Sequence, residues 1–133
     1  MTIPNLIYKL ACAIAAQEGF FTPGTIAQRQ NNPGNLRGAS WVGPIVPMQG
    51  GYWLPTSLQQ GQAGEMHLIA LYIAEGLTLT EFINKWAPSS DGNEPEVYID
   101  NVMAWTGIDD ANTQLWNFLE PLTDPRKAAG VSG

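Results

Sequence analysis

The chain has 133 residues, is 44% hydrophobic and carries a net charge of −6, enough for one domain with one core and too little for two. Cys12 and His67 are the only residues of their types, which excludes an internal disulfide and a Cys/His metal cluster, and no cofactor is expected. The absence of a basic run argues against nucleic acid as a partner, and the absence of a long apolar stretch argues against a membrane span.

Charge is uneven along the chain. Residues 1–64 carry Lys9, Arg29 and Arg37 against Glu18 alone, whereas all the remaining carboxylates fall in residues 65–133. An anionic polymer is thus best met by the N-terminal half. The start MTIPNLIYKLACAIAAQEGF lacks a basic leader, so synthesis in the cytoplasm without a signal peptide is expected, with action at the cell wall after release or delivery.

Ile3, Leu6, Ile7, Leu10, Ala11 and Ile14 recur at helical spacing and predict a helix over 3–18, with Thr2 as N-cap and Pro4 in the first turn. Cys12 reads as a core thiol. From Phe20 to Pro55 the pattern breaks into turn signals (TPG, NNPGN, RGAS, VGP, QGG), with extended pieces at Ser40–Val46 and Gly51–Leu54 that suit a small hairpin. Ser57 to Gln60 reads as a capping box opening a helix that ends at Gly76, with His67 on its surface. Thr78 to Glu81 opens a short helix through Trp86, Pro95 begins another that Gly107 closes, and a last helix is expected from Asp110 to Leu119. The fold class is therefore mainly α, with an irregular Gly/Pro/Asn-rich segment after the first helix. One domain is expected over 1–122, with a frayed tail over 123–133.

Glu18 is the first candidate for chemistry. It follows Ile14 by four residues on the apolar stripe and sits at a helix C-terminus, where burial and the helix dipole both disfavour a carboxylate and raise its pKa. The alternative is a solvated carboxylate at a fraying helix end. Asn31, Asn32 and Asn35 flank Pro33-Gly34, a turn that gathers amides of the kind that read sugar hydroxyls, or that satisfies only its own backbone. Trp41, Tyr52 and Trp53 are candidates for exposed sugar platforms, while Phe82, Ile83, Trp86, Trp105, Trp116 and Phe118 read as core. Gln60 is a further polar candidate that its capping role already explains.

The ordered blocks AIAAQEGF (13–20), QNNPGNLR (30–37), LPTSLQQGQAGEMHLIALYI (54–73) and TLTEFINKWAPSSDGNEPEVYIDNV (78–102), followed by TG at 106–107, cover most of the chain. Together they resemble a family of lysozyme-like domains of phage and prophage type, related to goose-type lysozymes and soluble lytic transglycosylases. The resemblance implies a lysozyme-like fold that cleaves the glycan strand of peptidoglycan. It makes Glu18 the general acid and lines the cleft with the Asn-Pro-Gly-Asn turn. It also points the Tyr98 hydroxyl toward the acid and makes the WAPSSDGN loop, which ends on Asn93, the opposite wall. The acidic balance and the lack of a wall-binding module depart from free lysozymes and suggest delivery within a virion or larger assembly. A catalytically silent lysozyme-like structural or saccharide-binding virion component, or a protein-binding helical module, are the rival readings.

A retaining glycosidase needs a second carboxylate about 5–5.5 Å from the acid. The stretch Gly19–Gly64 contains no Asp or Glu. A second carboxylate can come only from later in the chain, with Glu65, Asp91, Glu94, Glu96 and Asp100 nearest by sequence to the expected cleft walls, and one of them at about 6.5–9.5 Å would position a water for inversion. Without it Glu18 acts alone, as acid and then as base, which is the lytic transglycosylase route.

Overall fold

The computed structural model describes residues 1–37, 48–89, 92–128 and 130, the side chains of Met48 and Ala128 excepted. The expected strand Ser40–Val46, Trp41 and Asp91 lie outside the described residues. The chain is mainly helical: α1 (Leu6–Gln17), α2 (Ile26–Arg29), β1 (Met48–Gln49), β2 (Tyr52–Trp53), α3 (Leu58–Ala74), α4 (Leu79–Trp86), α5 (Pro95–Thr106), a 3-10 turn (Leu115–Phe118) and α6 (Pro125–Ala128). No helix among the described residues is long and apolar enough to cross a membrane.

Helix α1 is the centre of the packing, laid against α5 and α3, while α4 packs on α5. Its buried residues Leu6, Leu10, Ala11, Ala13 and Ile14 meet Ile69 and Ile73 of α3, Leu79, Phe82 and Ile83 of α4, and Tyr98 and Val102 of α5 in one core. Truncating a fully buried member such as Leu10 would cost about 2–5 kcal/mol. A second, small cluster joins Leu36, Trp53 and Leu68 beneath the segment that follows α2. Strands β1 and β2 pair antiparallel, Met48 opposite Trp53 and Gln49 opposite Tyr52. The predicted strand Gly51–Leu54 is thus realised as β2, with Met48–Gln49 as its described partner.

Helix starts follow local chemistry where the side chains allow it. Thr78 and Glu81 form a complete capping box at α4, and Pro95 occupies the first turn of α5. At α3 the box is half made: Ser57 accepts from the Gln60 amide, but Gln60 Oε1 accepts from Thr56 N and Oγ1 instead of turning back to Ser57. The start of α1 corrects the expectation of a cap at Thr2. The helix begins at Leu6 after Asn5 in the left-handed region, because Ile3 N donates to Phe118 O and ties the N-terminus across the core.

The predicted last helix over Asp110–Leu119 is also corrected. Thr80 N donates to Ala111 O and Leu115 N to Leu77 O, so this backbone pairs with the α3–α4 linker and keeps only a single 3-10 turn. Asp110 accepts from Asn112 N and Thr113 Oγ1, an Asx turn that competes with helix. Trp105 and Trp116 are about half exposed, against the expectation of core; Trp116 covers Gly76 with its ring. The short helices α2, capped by Thr25, and α6 were not anticipated: each is one turn held by a local cap.

Candidate active site

Glu18 is the C-cap residue of α1, its amide still bonded to Ile14 O at 2.8 Å. The chain turns immediately after it: Gly19 has φ +83°, and Thr25 Oγ1 donates to the Gly19 carbonyl at 2.7 Å, pinning the loop that leads to α2. Glu18 therefore stands at the end of a rigid helix rather than on a fraying one.

Two side chains hold its carboxyl. Tyr98 Oη donates to Oε2 at 2.7 Å from α5, and Asn35 Nδ2 donates to Oε1 at 3.2 Å from the turn after α2. Glu18 is half-buried, and burial raises its pKa above the ordinary carboxylate value while the two donors pull it back. Tyr98 is itself buried, and burial together with the neighbouring carboxyl keeps its hydroxyl protonated well above the usual range. The phenol is thus a fixed donor.

The Asn-Pro-Gly-Asn turn divides its labour. Asn32 is fully buried and closes the turn on itself: Nδ2 donates to Leu36 O and Trp53 O, and Oδ1 accepts from Leu36 N. Asn35, in the left-handed region at φ 50°, is the residue this frame delivers to Glu18. Its Oδ1 is buried with no protein partner. Gly34 is needed between them, because a Cβ there would meet Trp86 Cζ2 at 2.9 Å and Glu65 Cγ at 3.1 Å. Gly61 of α3 is needed too: a Cβ would run into the Asn31 carbonyl, so the helix passes directly beneath the turn.

A cleft of about 320 Å³ opens in front of Glu18, lined by Gly34, Asn35, Leu36, Arg37, Tyr52, Leu68, Tyr72, Lys85, Trp86, Ala87, Pro88 and Asn93. Trp86 Nε1 donates to Gly34 O at 3.1 Å and its ring stacks on Phe82, so one face is core and the rest is cleft wall. Asn93 holds the far rim by donating to Pro88 O.

Against expectation, several named residues do not present themselves to this cleft. Asn32 is an internal brace. Asn31 is exposed and turns its carbonyl toward α3. Gln60 is spent on Thr56. Trp53 is not an exposed platform but a core residue, 5% exposed, bonded through its backbone to Leu36 and Asn32. Tyr98 reaches Glu18 from the interior and positions the acid rather than a sugar. Glu18, Asn35 and Asn93 are brought together, with Tyr52 from the same irregular segment. Tyr72 and Lys85 were missed as lining residues: Tyr72 sits in a helical pattern that fits core packing, and Lys85 reads as an ordinary exposed helix charge. Trp86 was read as core by its spacing but also begins the expected wall loop, and it lines the cleft.

Of the four possible second carboxylates among the described residues, Glu65 is the one whose pKa Glu18 shifts. Only 2% exposed on α3, it has Oε2 buried without a partner, and burial together with Glu18 pushes its pKa up to about 9. Both causes favour its protonated form. Glu94 and Glu96 line a different surface depression with Thr80 and Asn84, and Asp100 is exposed on α5. Comparison with protein-family models, with characterised proteins and with solved structures found no match to the chain.

Proposed function

We propose that this domain is a lysozyme-like glycosidase that cleaves the N-acetylmuramyl–N-acetylglucosamine bond of peptidoglycan, with Glu18 as its general acid. The observation that carries the reading is the carboxyl of Glu18, held by Tyr98 and Asn35, with a burial-raised pKa, at the mouth of a cleft with aromatic walls. Protonated Glu18 gives its proton to the glycosidic oxygen as the bond to the muramyl C1 breaks, and positive charge develops at C1 and the ring oxygen. Tyr98 and Asn35 hold the resulting carboxylate, so the ionised state is stabilised where it forms. The flat faces of Trp86 and Tyr52 supply the apolar surface on which sugar C–H faces pack.

The second half of the reaction follows from the carboxyl inventory. Among the described residues the cleft holds no second carboxylate beside Glu18, and burial of Glu65 favours its protonated form. The Glu18 carboxylate therefore takes the proton of the muramyl C6 hydroxyl, whose oxygen closes on C1. Glu18 is protonated again, and the product is a 1,6-anhydromuramyl sugar. Water attacking C1 with inversion is the second reading. Action at the cell wall after release or delivery within a virion belongs to the same proposal.

Mass spectrometry of a peptidoglycan digest tests it. The anhydro product is one water lighter than the hydrolytic one, and a β-configured reducing end would mean retention and overturn the single-carboxylate mechanism. Absence of any cleavage of purified peptidoglycan would favour a silent saccharide-binding role.

A further inference from the structure

Arg37 and Lys85 both line the cleft of a chain whose net charge is −6. Each lies over an aromatic ring that lines the cleft as well. Arg37 Cζ is 5.0 Å from the centroid of Tyr52, and Lys85 Nζ is 4.6 Å from that of Tyr72. Arg37 is further tied to Tyr52 by a backbone bridge. Lys85 meets Glu75 Oε2 at 3.0 Å, with both side chains about half exposed (48% and 46%). Such an open ion pair is weak and exchanges readily for a ligand carboxylate. Glu18 is the one acidic side chain among the described residues lining the cleft. Among the described lining residues, then, the side chains that carry charge other than the acid itself are cationic, while the chain as a whole would repel a polyanion.

We propose that Arg37 and Lys85, each backed by its aromatic ring, form a carboxylate-binding wall that takes the acidic substituent of the muramyl residue and selects muramyl polymers over neutral amino-sugar polymers. This rests on the glycosidase reading of the cleft. The carboxylate is either that of the lactyl group or one carried on the peptide stem extending from it. Both present a planar anion, which the guanidinium of Arg37 receives in two parallel hydrogen bonds and the ammonium of Lys85 as a point charge. The rings restrict both cations before the ligand arrives, so less freedom is lost on binding.

The test compares three glycans of matched length: strands with peptide stems, strands stripped of stems by an amidase so that the lactyl carboxylate is free, and neutral chitooligosaccharides. Binding by calorimetry and kcat/KM are measured for wild type, R37Q, K85Q, the double variant and the remote control K127Q, with thermal unfolding as a check on folding. Wild type is expected to prefer the anionic strands. Each single variant should lower that preference about threefold, and the double variant about tenfold, as expected for partly exposed charge pairs at low salt. The loss should enter KM rather than kcat. K127Q should leave the preference unchanged, and the charge-preserving K85R should restore part of it. Persistence of the effect on stripped strands assigns the lactyl carboxylate; its loss there assigns the stem.

An unchanged preference in the double variant, with glycan cleavage intact, overturns the carboxylate wall and leaves the glycosidase reading standing. Binding with a charge-dependent preference but no cleavage keeps the wall and removes the enzyme. No binding of any of the three glycans overturns both.

Discussion

Glu18 and Glu65 are two carboxyls in neighbouring regions of one molecule, and their surroundings separate them. Glu18 stands at the cleft with a donor on each oxygen, Tyr98 on one and Asn35 on the other. Glu65 lies behind it on α3, under the Asn-Pro-Gly-Asn turn, with Oε2 buried and unpartnered. Burial raises the pKa of both. Donors make the difference, because a hydrogen bond to the charged form offsets desolvation and its absence does not. One carboxyl is therefore able to release its proton and take it back, while the other keeps it.

The largest effect that would break this comparison is loss of the acid. E18Q keeps the shape but cannot donate, so release of glycan fragments from peptidoglycan should fall by roughly 10²–10⁴-fold, with thermal stability unchanged or raised. Wild-type turnover by E18Q would remove Glu18 from the chemistry.

The second prediction concerns stability and its sign. In the folded chain, burial and the nearby Glu18 push the Glu65 carboxyl up to about 9 from an ordinary value of 4.5. Between these values the unfolded chain has lost the proton that the folded chain retains, so Glu65 makes stability fall as pH rises through that window and costs nothing below it. E65Q, a neutral near-isostere, should flatten this decline and raise stability at pH 8–9, by an amount on the order of several kcal/mol at most. Denaturant unfolding at pH 5, 7 and 9 checks it; parallel declines in wild type and E65Q would show that Glu65 is ionised in the fold.

A smaller change should sharpen the contrast by moving Glu18 toward the state of Glu65. Y98F removes one donor from Glu18, whose pKa then rises further, so the alkaline limb of the pH–rate profile should shift upward. The maximal rate should fall by about tenfold, the typical worth of one buried hydrogen bond to a charged group. An unshifted limb would mean that Tyr98 does not tune the acid. The smallest effect is expected for N35G. Glycine suits the left-handed φ of 50° at this position, so the turn keeps its path while the weaker 3.2 Å bond is lost. A loss of several-fold in kcat with little change in unfolding temperature is the expected outcome.

Local chemistry explains what was readable before the structure. The mainly α class, the placement of Glu18 on the apolar stripe of α1, the α4 capping box and the Pro95 and Gly107 bounds of α5 all rest on residues within a turn or two of one another. Propensity, capping and periodicity act over that range, so the sequence by itself determined these elements. Long-range pairing decided the rest. The helix expected over Asp110–Leu119 yields to backbone bonds with Leu77 and Thr80, more than thirty residues away, which no local pattern records.

Asn32 and Asn35 are the same residue type three positions apart in one turn, yet one braces the interior and the other holds the acid. That choice depends on where Leu36, Trp53 and Glu18 arrive. Glu65 was visible only as a carboxylate. The buried side of α3 contains Gly61, Gly64 and Glu65 beside Leu68, Ile69 and Ile73, so hydropathy does not mark it. Gly61 serves close approach to the turn rather than apolar burial. Whether a carboxyl becomes an acid able to give up its proton or one that keeps it depends on donors delivered by other elements, and only the tertiary structure supplies those.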